Sequence, residues 1–328
     1  MGATMRLRFA ADIKTLLWVA MTIALVAVQF AKPTLTPYLF WLSCYFALTC
    51  GVIAHNHNHC PTFHGKVANE IFASVISIFY GYPTFAWIPT HNLNHHKFVN
   101  RAGDATITWR YTNRHNALMA ITYPFISGYF QADPTNAFIK KAKSQNKKLY
   151  RRIVRQYVVF VGSHVALLSL AIGLHGVRTG LFVWGLACAV PAMFALWTIM
   201  FFNYVQHVHT DPWSRHNHSR SFVGRGINFC LFNNGLHAAH HENAGTHWSK
   251  LRDVHERLAP NIDPRLMHKS MWGFFFVQYL LAPFFPKLGT EQVGRPPFEP
   301  PDGGKLDLAS ADVAVGDAGD NEAMLPAE

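Results

Sequence analysis

Residues 181–207 read LFVWGLACAVPAMFALWTIMFFNYVQH, an uncharged apolar run from Leu181 to Phe202 that ends directly in Asn203-Tyr204-Val205-Gln206-His207. About 20 apolar residues are what an α-helix needs to cross the hydrocarbon core of a bilayer. The run therefore delivers two polar side chains, at i and i+4 on one helix face, to a membrane border. Three more stretches share the apolar character, Thr15 to Ala31, Pro37 to Ala54 and Ile153 to Leu174. Lys32-Pro33 separates the first pair and Gly176-Val177-Arg178-Thr179 the second. The pattern predicts an all-α membrane protein with four transmembrane helices in two hairpins, at about 15–31, 37–54, 153–174 and 181–202. No small-residue cleavage pattern follows the first run and a second span begins almost at once, so the first is read as a retained helix and not a signal peptide.

Composition supports a membrane protein. Half of the 328 residues are hydrophobic and 14% are charged, less charge than a soluble globule normally carries. The net charge of +11 is unevenly spread: the last 38 residues hold two basic and nine acidic side chains, leaving residues 1–290 at +18. A basic body facing anionic headgroups accounts for this without nucleic acid. The hairpin turns contain only Lys32 and Arg178, whereas His55 to Arg152 contains twelve basic residues and the N-terminus adds Arg6, Arg8 and Lys14. The positive-inside rule then puts both termini and the long central loop in the cytoplasm. The run from Lys140 to Arg152 is read as part of that headgroup-facing stretch.

Three further apolar segments are broken, Val67 to Pro89 by Gly81 and Pro83, Ala117 to Phe130 by Pro124, and Met271 to Phe285 by Pro283. Interfacial or re-entrant helices suit them better than spans. A membrane domain is expected over 1–290, and 291–328, rich in Pro, Gly, Ala and Asp, is expected to be a disordered acidic tail. Cys44, Cys50, Cys60, Cys188 and Cys230 form no C-x-x-C pair, so neither a disulfide framework nor a thiolate zinc site is signalled.

Twenty histidines are the anomaly, and many are clustered. His55-Asn56-His57-Asn58-His59 lies where the second span ends, with His55 and His59 on one face if the helix continues a turn. His91-Asn92-Leu93-Asn94-His95-His96 and His237-Ala238-Ala239-His240-His241 follow, and Asn203 to His207 lies between those two. All are expected at one membrane face. Neutral imidazole is a common ligand of first-row transition metals, and nine such nitrogens exceed what one four- to six-coordinate ion can use. Two ions are implied, and a thiolate-free set this large favours redox metal over structural zinc. The Glu and Glu-x-x-His ligands of soluble ferritin-like proteins are missing.

The H-x-x-x-H, H-x-x-x-H-H and H-x-x-H-H boxes, in this order and topology, resemble the integral-membrane fatty acid desaturase family, a histidine-box di-iron superfamily that includes alkane and sterol-type hydroxylases and carotenoid oxygenases. The resemblance covers roughly Gly51 to Pro260. It implies metal ligation by His55, His59, His91, His95, His96, His207, His237, His240 and His241, with Asn203 reaching metal through water, because Asn203-x-x-x-His207 matches an N-x-x-x-H element of acyl desaturases. The same string is similar to the N-Y-x-E-H element of alkane hydroxylases, but Gln206 stands where those carry Glu. The resemblance further implies two Fe ions, O2 as co-substrate, and a cytoplasmic cap holding the dimetal centre. Its expected substrate is a fatty acyl lipid carried on CoA, carrier protein or glycerolipid. The expected reaction is introduction of a cis double bond. No H-P-G-G haem-binding element or Cys cluster is present, so a separate electron carrier such as ferredoxin, rubredoxin or cytochrome b5 is expected. A hydroxylase of an alkane, lipid or carotenoid on the same scaffold is the alternative. A histidine-rich metal transporter fits less well, since transporters place ligands near the midplane and these spans are nearly clean, with Gln29 in the first and His164 in the third.

Most other histidines, among them His64, His115, His164, His175, His216, His218, His255 and His268, are expected to be non-ligands at ordinary surface or loop positions. His57, His209 and His247, with Asp104, Asp211 and Glu242, are candidates to orient a ligand's second ring nitrogen.

Overall fold

A computed structural model describes residues 5–304 of the chain. They are mostly helical and form two compact units: residues up to Trp87 with Ile139–Ile199, and Ile88–Phe138 with the chain from Met200 onward.

The first unit contains the helices Asp12–Ala31, Thr36–His59, Lys66–Tyr80 and Lys147–Trp184, and the first part of Val190–His207. Asp12 lies in the first turn of its helix and accepts a 2.8 Å hydrogen bond from the Thr15 hydroxyl, where the partial positive charge of a helix N-terminus favours a carboxylate. Ile13, Leu17, Ile23, Val158, Val165 and Leu174 are exposed, while the interior combines apolar packing, as among Val26, Phe30, Ala171 and Val183, with buried polar side chains. Gln29 is fully buried and donates to the Ser43 hydroxyl at 2.9 Å. Trp18 Nε1 donates to the Tyr45 hydroxyl at 3.0 Å, and a ring nitrogen of His164 donates to the Ile78 carbonyl at 2.9 Å. Aliphatic side chains turned outward, with hydrogen bonds between the helices, suit helices surrounded by lipid.

The first two expected spans coincide with Asp12–Ala31 and Thr36–His59, the second running on past Ala54 to carry the first histidine cluster. The other two fall within one apolar stretch, Lys147–His207, that is 61 residues long. Gly176 breaks it, with φ 75° and ψ 169°. A Cβ on Gly180 would lie 2.5 Å from the backbone nitrogen of Ile172, which along a straight helix would be about 12 Å away. The chain therefore folds back at Gly176, a conformation open essentially to glycine alone. Among the described residues, three helical stretches are long and apolar enough to cross a membrane. Lys66–Tyr80, with 15 residues, reaches only about 22 Å. It stops at Gly81, whose φ of 94° forms a left-handed cap.

The second unit holds a π-helical turn at Ile88–His95, the helices Ala117–Phe130, His237–Glu242, Leu251–Leu258 and Met271–Phe276, and the end of Val190–His207. A two-residue parallel pair, Ser221–Phe222 with Met267–His268, ties its later segments together. Met271–Phe276 continues into a π turn, Val277–Leu281, and Trp272, Phe276 and Leu280 face outward.

Beyond residue 290 the described chain still packs within the second unit. Val293 is buried with Ala238, Ile262 and Leu266, and its N–H donates to the His209 carbonyl at 3.0 Å. Phe298 packs on Ile107 and Trp109, and Trp213 Nε1 donates to the Pro296 carbonyl at 3.1 Å. A Pro-rich composition did not reveal two apolar anchors, Val293 and Phe298, spaced to reach existing crevices. The remainder of the expected tail, 305–328, lies outside the described residues.

Candidate metal centre

Four imidazoles from three segments of the second unit meet at one point. His95 leaves the end of the π turn, His207 the last position of the Val190–His207 helix, and His237 and His241 one face of the His237–Glu242 helix. Their ligating nitrogens all lie within 4.8 Å of one another. The Nε2 atoms of His95 and His207 are 3.1 Å apart, those of His207 and His237 2.9 Å, and those of His237 and His241 3.1 Å.

The hydrogen bonds to the outer ring nitrogens make this group suited to a cation. His95 Nδ1 is 2.8 Å from Asp104 Oδ2, an acceptor only, so Nδ1 carries the proton and Nε2 presents its lone pair. His207 Nδ1 donates to the His218 carbonyl at 3.1 Å, which fixes the same tautomer there. Two lone pairs thus face each other across 3.1 Å. One proton would settle one such contact; a metal at the centre settles all of them. Ligands of a tetrahedral ion held at about 2.0–2.1 Å stand roughly 3.3 Å apart, close to the observed spacing.

A second group forms beside the first. His91 and His96 Nε2 are 3.1 Å apart, His96 and His240 3.0 Å, and His91 and His240 3.4 Å. Each neutral Nε2 either donates or accepts, so of three mutually close atoms at least one pair must be alike, and a cation is again the common partner. The widened π turn brings His96 beside His91 at i+5, and such turns recur at functional sites. In the first unit, His55 and His59 share one helix face with ring centroids 4.8 Å apart, and the His55 ring meets Trp87 at 5.1 Å. All-imidazole donors of this number suit iron and other first-row metals and hold no thiolate that would mark structural zinc.

Of the carboxylates considered, Asp104 is the one that hydrogen-bonds an imidazole of these groups. It is fully buried and accepts from His95, from the Asn100 N–H at 2.7 Å, and from the Thr106 N–H and hydroxyl, each at 2.7 Å. Burial pushes its carboxyl pKa up, but the neighbouring His95 and the Thr106 hydrogen bonds outweigh that and hold it below the usual range. Asp211 instead accepts from the Trp213 N–H in a local turn, and Glu242 pairs with Arg215 at 2.8 Å on the surface. His57 bonds Thr62 at 3.0 Å, His209 donates to the Asn113 carbonyl at 2.6 Å, and His247 caps Ser249. All three hold backbone or loops. Asn203 lies one turn before His207, and its amide donates to the Tyr123 hydroxyl at 2.8 Å, which donates to the Thr106 carbonyl at 2.6 Å.

Several supporting residues carried no sequence signal beyond being polar and near a box. Asn100 donates to the His207 carbonyl at 3.0 Å, and Asn94 pins the same loop through Gly103 and Ala105. Arg220 donates to the Val205 and Val208 carbonyls on either side of His207. His115 and His268 are not the surface residues expected: His115 joins the Thr290 and Tyr279 hydroxyls at 2.6 and 2.9 Å, and His268 packs on Phe274 with ring centroids 4.5 Å apart. Burial lowers the pKa of His115 well below the ordinary imidazole value, with Arg220 and His209 adding to it. His218, also taken as an isolated loop histidine, lends its carbonyl to His207 and its ring to His241 at 5.3 Å.

Apolar helices bearing clustered imidazoles that could hold a metal ion are compatible with a membrane-bound metalloprotein. A family model, fatty acid desaturase, matches residues 33–275, and the chain belongs to that family, whose members are membrane-bound oxidoreductases acting on lipid. No curated protein and no solved structure matches it.

Proposed function

We propose that the chain is a di-iron enzyme that introduces a cis double bond into a fatty acyl chain. The observation that carries the reading is the pair of opposed Nε2 lone pairs on His95 and His207, locked by Asp104 and the His218 carbonyl. His95, His207, His237 and His241 hold one iron. His91, His96 and His240 hold the other, and the family resemblance adds His55, His59 and, through water, Asn203 to the metal ligands.

When bound, the iron pair supplies the O2-dependent removal of hydrogen from an unactivated methylene. The balance is simple: adjacent methylenes lose two hydrogen atoms, and with two electrons and two protons from an external carrier O2 leaves as two waters. The protein's own contribution is positioning. Asp104 and Thr106 fix His95, while Asn100 and Arg220 clamp the turn that carries His207, so neither imidazole swings away. Asn203-x-x-x-His207 with Gln206 favours the acyl desaturase over the hydroxylase branch. Four crossings, with Lys147–His207 folded into two of them at Gly176, put both termini and the metals on the cytoplasmic side. A domain that extends at least through Phe298 completes the reading.

The test is to supply purified, iron-loaded protein with a saturated acyl substrate, a reduced electron carrier and O2, and to analyse products by mass spectrometry. A cis-unsaturated acyl product supports the reading; alcohol as the main product, or turnover of alkane in its place, moves the chain to the hydroxylase branch.

A further inference from the structure

We propose that a cavity of about 470 Å³ in the second unit, lined by Arg220, His268, Phe274, Lys287 and Leu288, binds the phosphate headgroup of an anionic phospholipid. This site is separate from the metal ligands and stands whichever reaction the metals carry.

The case begins with an unbalanced charge. Arg220 is 1% exposed. It donates through one amino group to the Val205 and Val208 carbonyls and stacks over Phe274 at 5.1 Å, but its Nε has no hydrogen-bond partner and no acidic side chain pairs with it among the described residues. A buried cation without a counter-charge is costly, and such groups are normally paired or serve a ligand. At the mouth, Lys287 makes no ion pair, Arg265 is engaged by Asp263 at 2.7 Å, and Glu291 is the one carboxylate in the lining. The unpaired charge of the cavity is therefore positive.

Its surroundings select a lipid as the source of the anion. Trp272 is 72% and Phe284 79% exposed, and Phe276, Phe285 and Leu288 are exposed beside them. They belong to the same two segments that supply Phe274 and Lys287 to the cavity wall. Outward aromatic side chains next to basic ones are the pattern of a surface held at the headgroup level of a bilayer. A phosphate entering there meets the exposed Lys287 first, with the unpaired Arg220 guanidinium behind it. Because Arg220 grips the carbonyls flanking His207, the bound headgroup also supports the turn that presents a metal ligand.

Full-length, metal-loaded protein in detergent is titrated with phosphatidylglycerol or with phosphatidylcholine of the same chains, and retained lipid is counted by native mass spectrometry. Wild type is expected to retain phosphatidylglycerol selectively. Lys287→Gln should weaken that binding about fivefold, the effect of one basic side chain at an anionic surface, with iron content unchanged. Arg220→Gln should abolish it. Should Arg220→Gln fail to fold, the exposed Lys287→Gln variant and the lipid comparison decide. Equal retention of the two lipids, or wild-type affinity in Lys287→Gln, overturns the proposal. Displacement of phosphatidylglycerol by an equal concentration of inorganic phosphate assigns the cavity to the free anion and overturns the lipid assignment.

Discussion

Replacing Asp104 by Asn tests whether imidazole tautomers organise the centre, because it preserves shape and removes the charge. The carboxylate accepts four hydrogen bonds, from His95 Nδ1, the Asn100 N–H and the N–H and hydroxyl of Thr106, all within 2.7–2.8 Å. An amide keeps one oxygen and turns an NH2 toward groups that are themselves donors. If that NH2 faces His95, the ring is driven to the other tautomer, with the proton on Nε2 and no lone pair for metal. Loss of a partner that orients a metal-bound histidine costs roughly 10–100-fold in metal affinity, or about 1.4–2.7 kcal/mol. A hydrogen bond to a buried charged acceptor contributes about 1.5–3 kcal/mol to folding. Asp104→Asn should therefore bind iron or cobalt 10–100-fold more weakly, by titration against a competing chelator. Asp211→Asn and Glu242→Gln, whose carboxylates serve a turn and a surface ion pair, should bind as wild type. Wild-type metal affinity in Asp104→Asn would refute the tautomer reasoning. Equal weakening in all three would show that net charge, not orientation, matters.

Single Ala substitutions at His55, His59, His91, His95, His96, His207, His237, His240 and His241 should each abolish or severely reduce turnover and lower the iron content measured by elemental analysis; unimpaired activity in more than one contradicts the ligand set. Truncation after Gly304 should leave metal content unchanged, whereas truncation after Gly289, which removes the anchors Val293 and Phe298, should lower the melting temperature and the metal retained on purification. His115→Ala should destabilise the fold by about 2 kcal/mol, since it leaves the Thr290 and Tyr279 hydroxyls without their shared partner; His64→Ala, at an exposed position, should be neutral in the same thermal melt. Gly176→Ala has open space around it, so its cost is backbone strain alone, about 1–3 kcal/mol, visible as a lower melting temperature with unaltered metal content.

Apolar run length and charge asymmetry made the membrane helices legible in the sequence, because the bilayer imposes a length on any helix that crosses it. Box order likewise exposed the nine candidate ligands, and helical periodicity alone paired His55 with His59. Periodicity acts only within a helix, however. It could not divide His91 and His96 from His95, or His240 from its neighbours, because that division depends on a π turn and on which segment of the chain faces which side of it. Nor could spacing distinguish Asp104 from Asp211 and Glu242: each lies near a box, and only the packed loop from Val99 to Trp109 aims one of them at a ligand's ring. The same limit hid Val293 and Phe298 within a Pro-rich stretch and left Arg220 as one basic residue among 29. Local sequence sets which residues have the chemistry, and contacts between distant segments decide which of them meet.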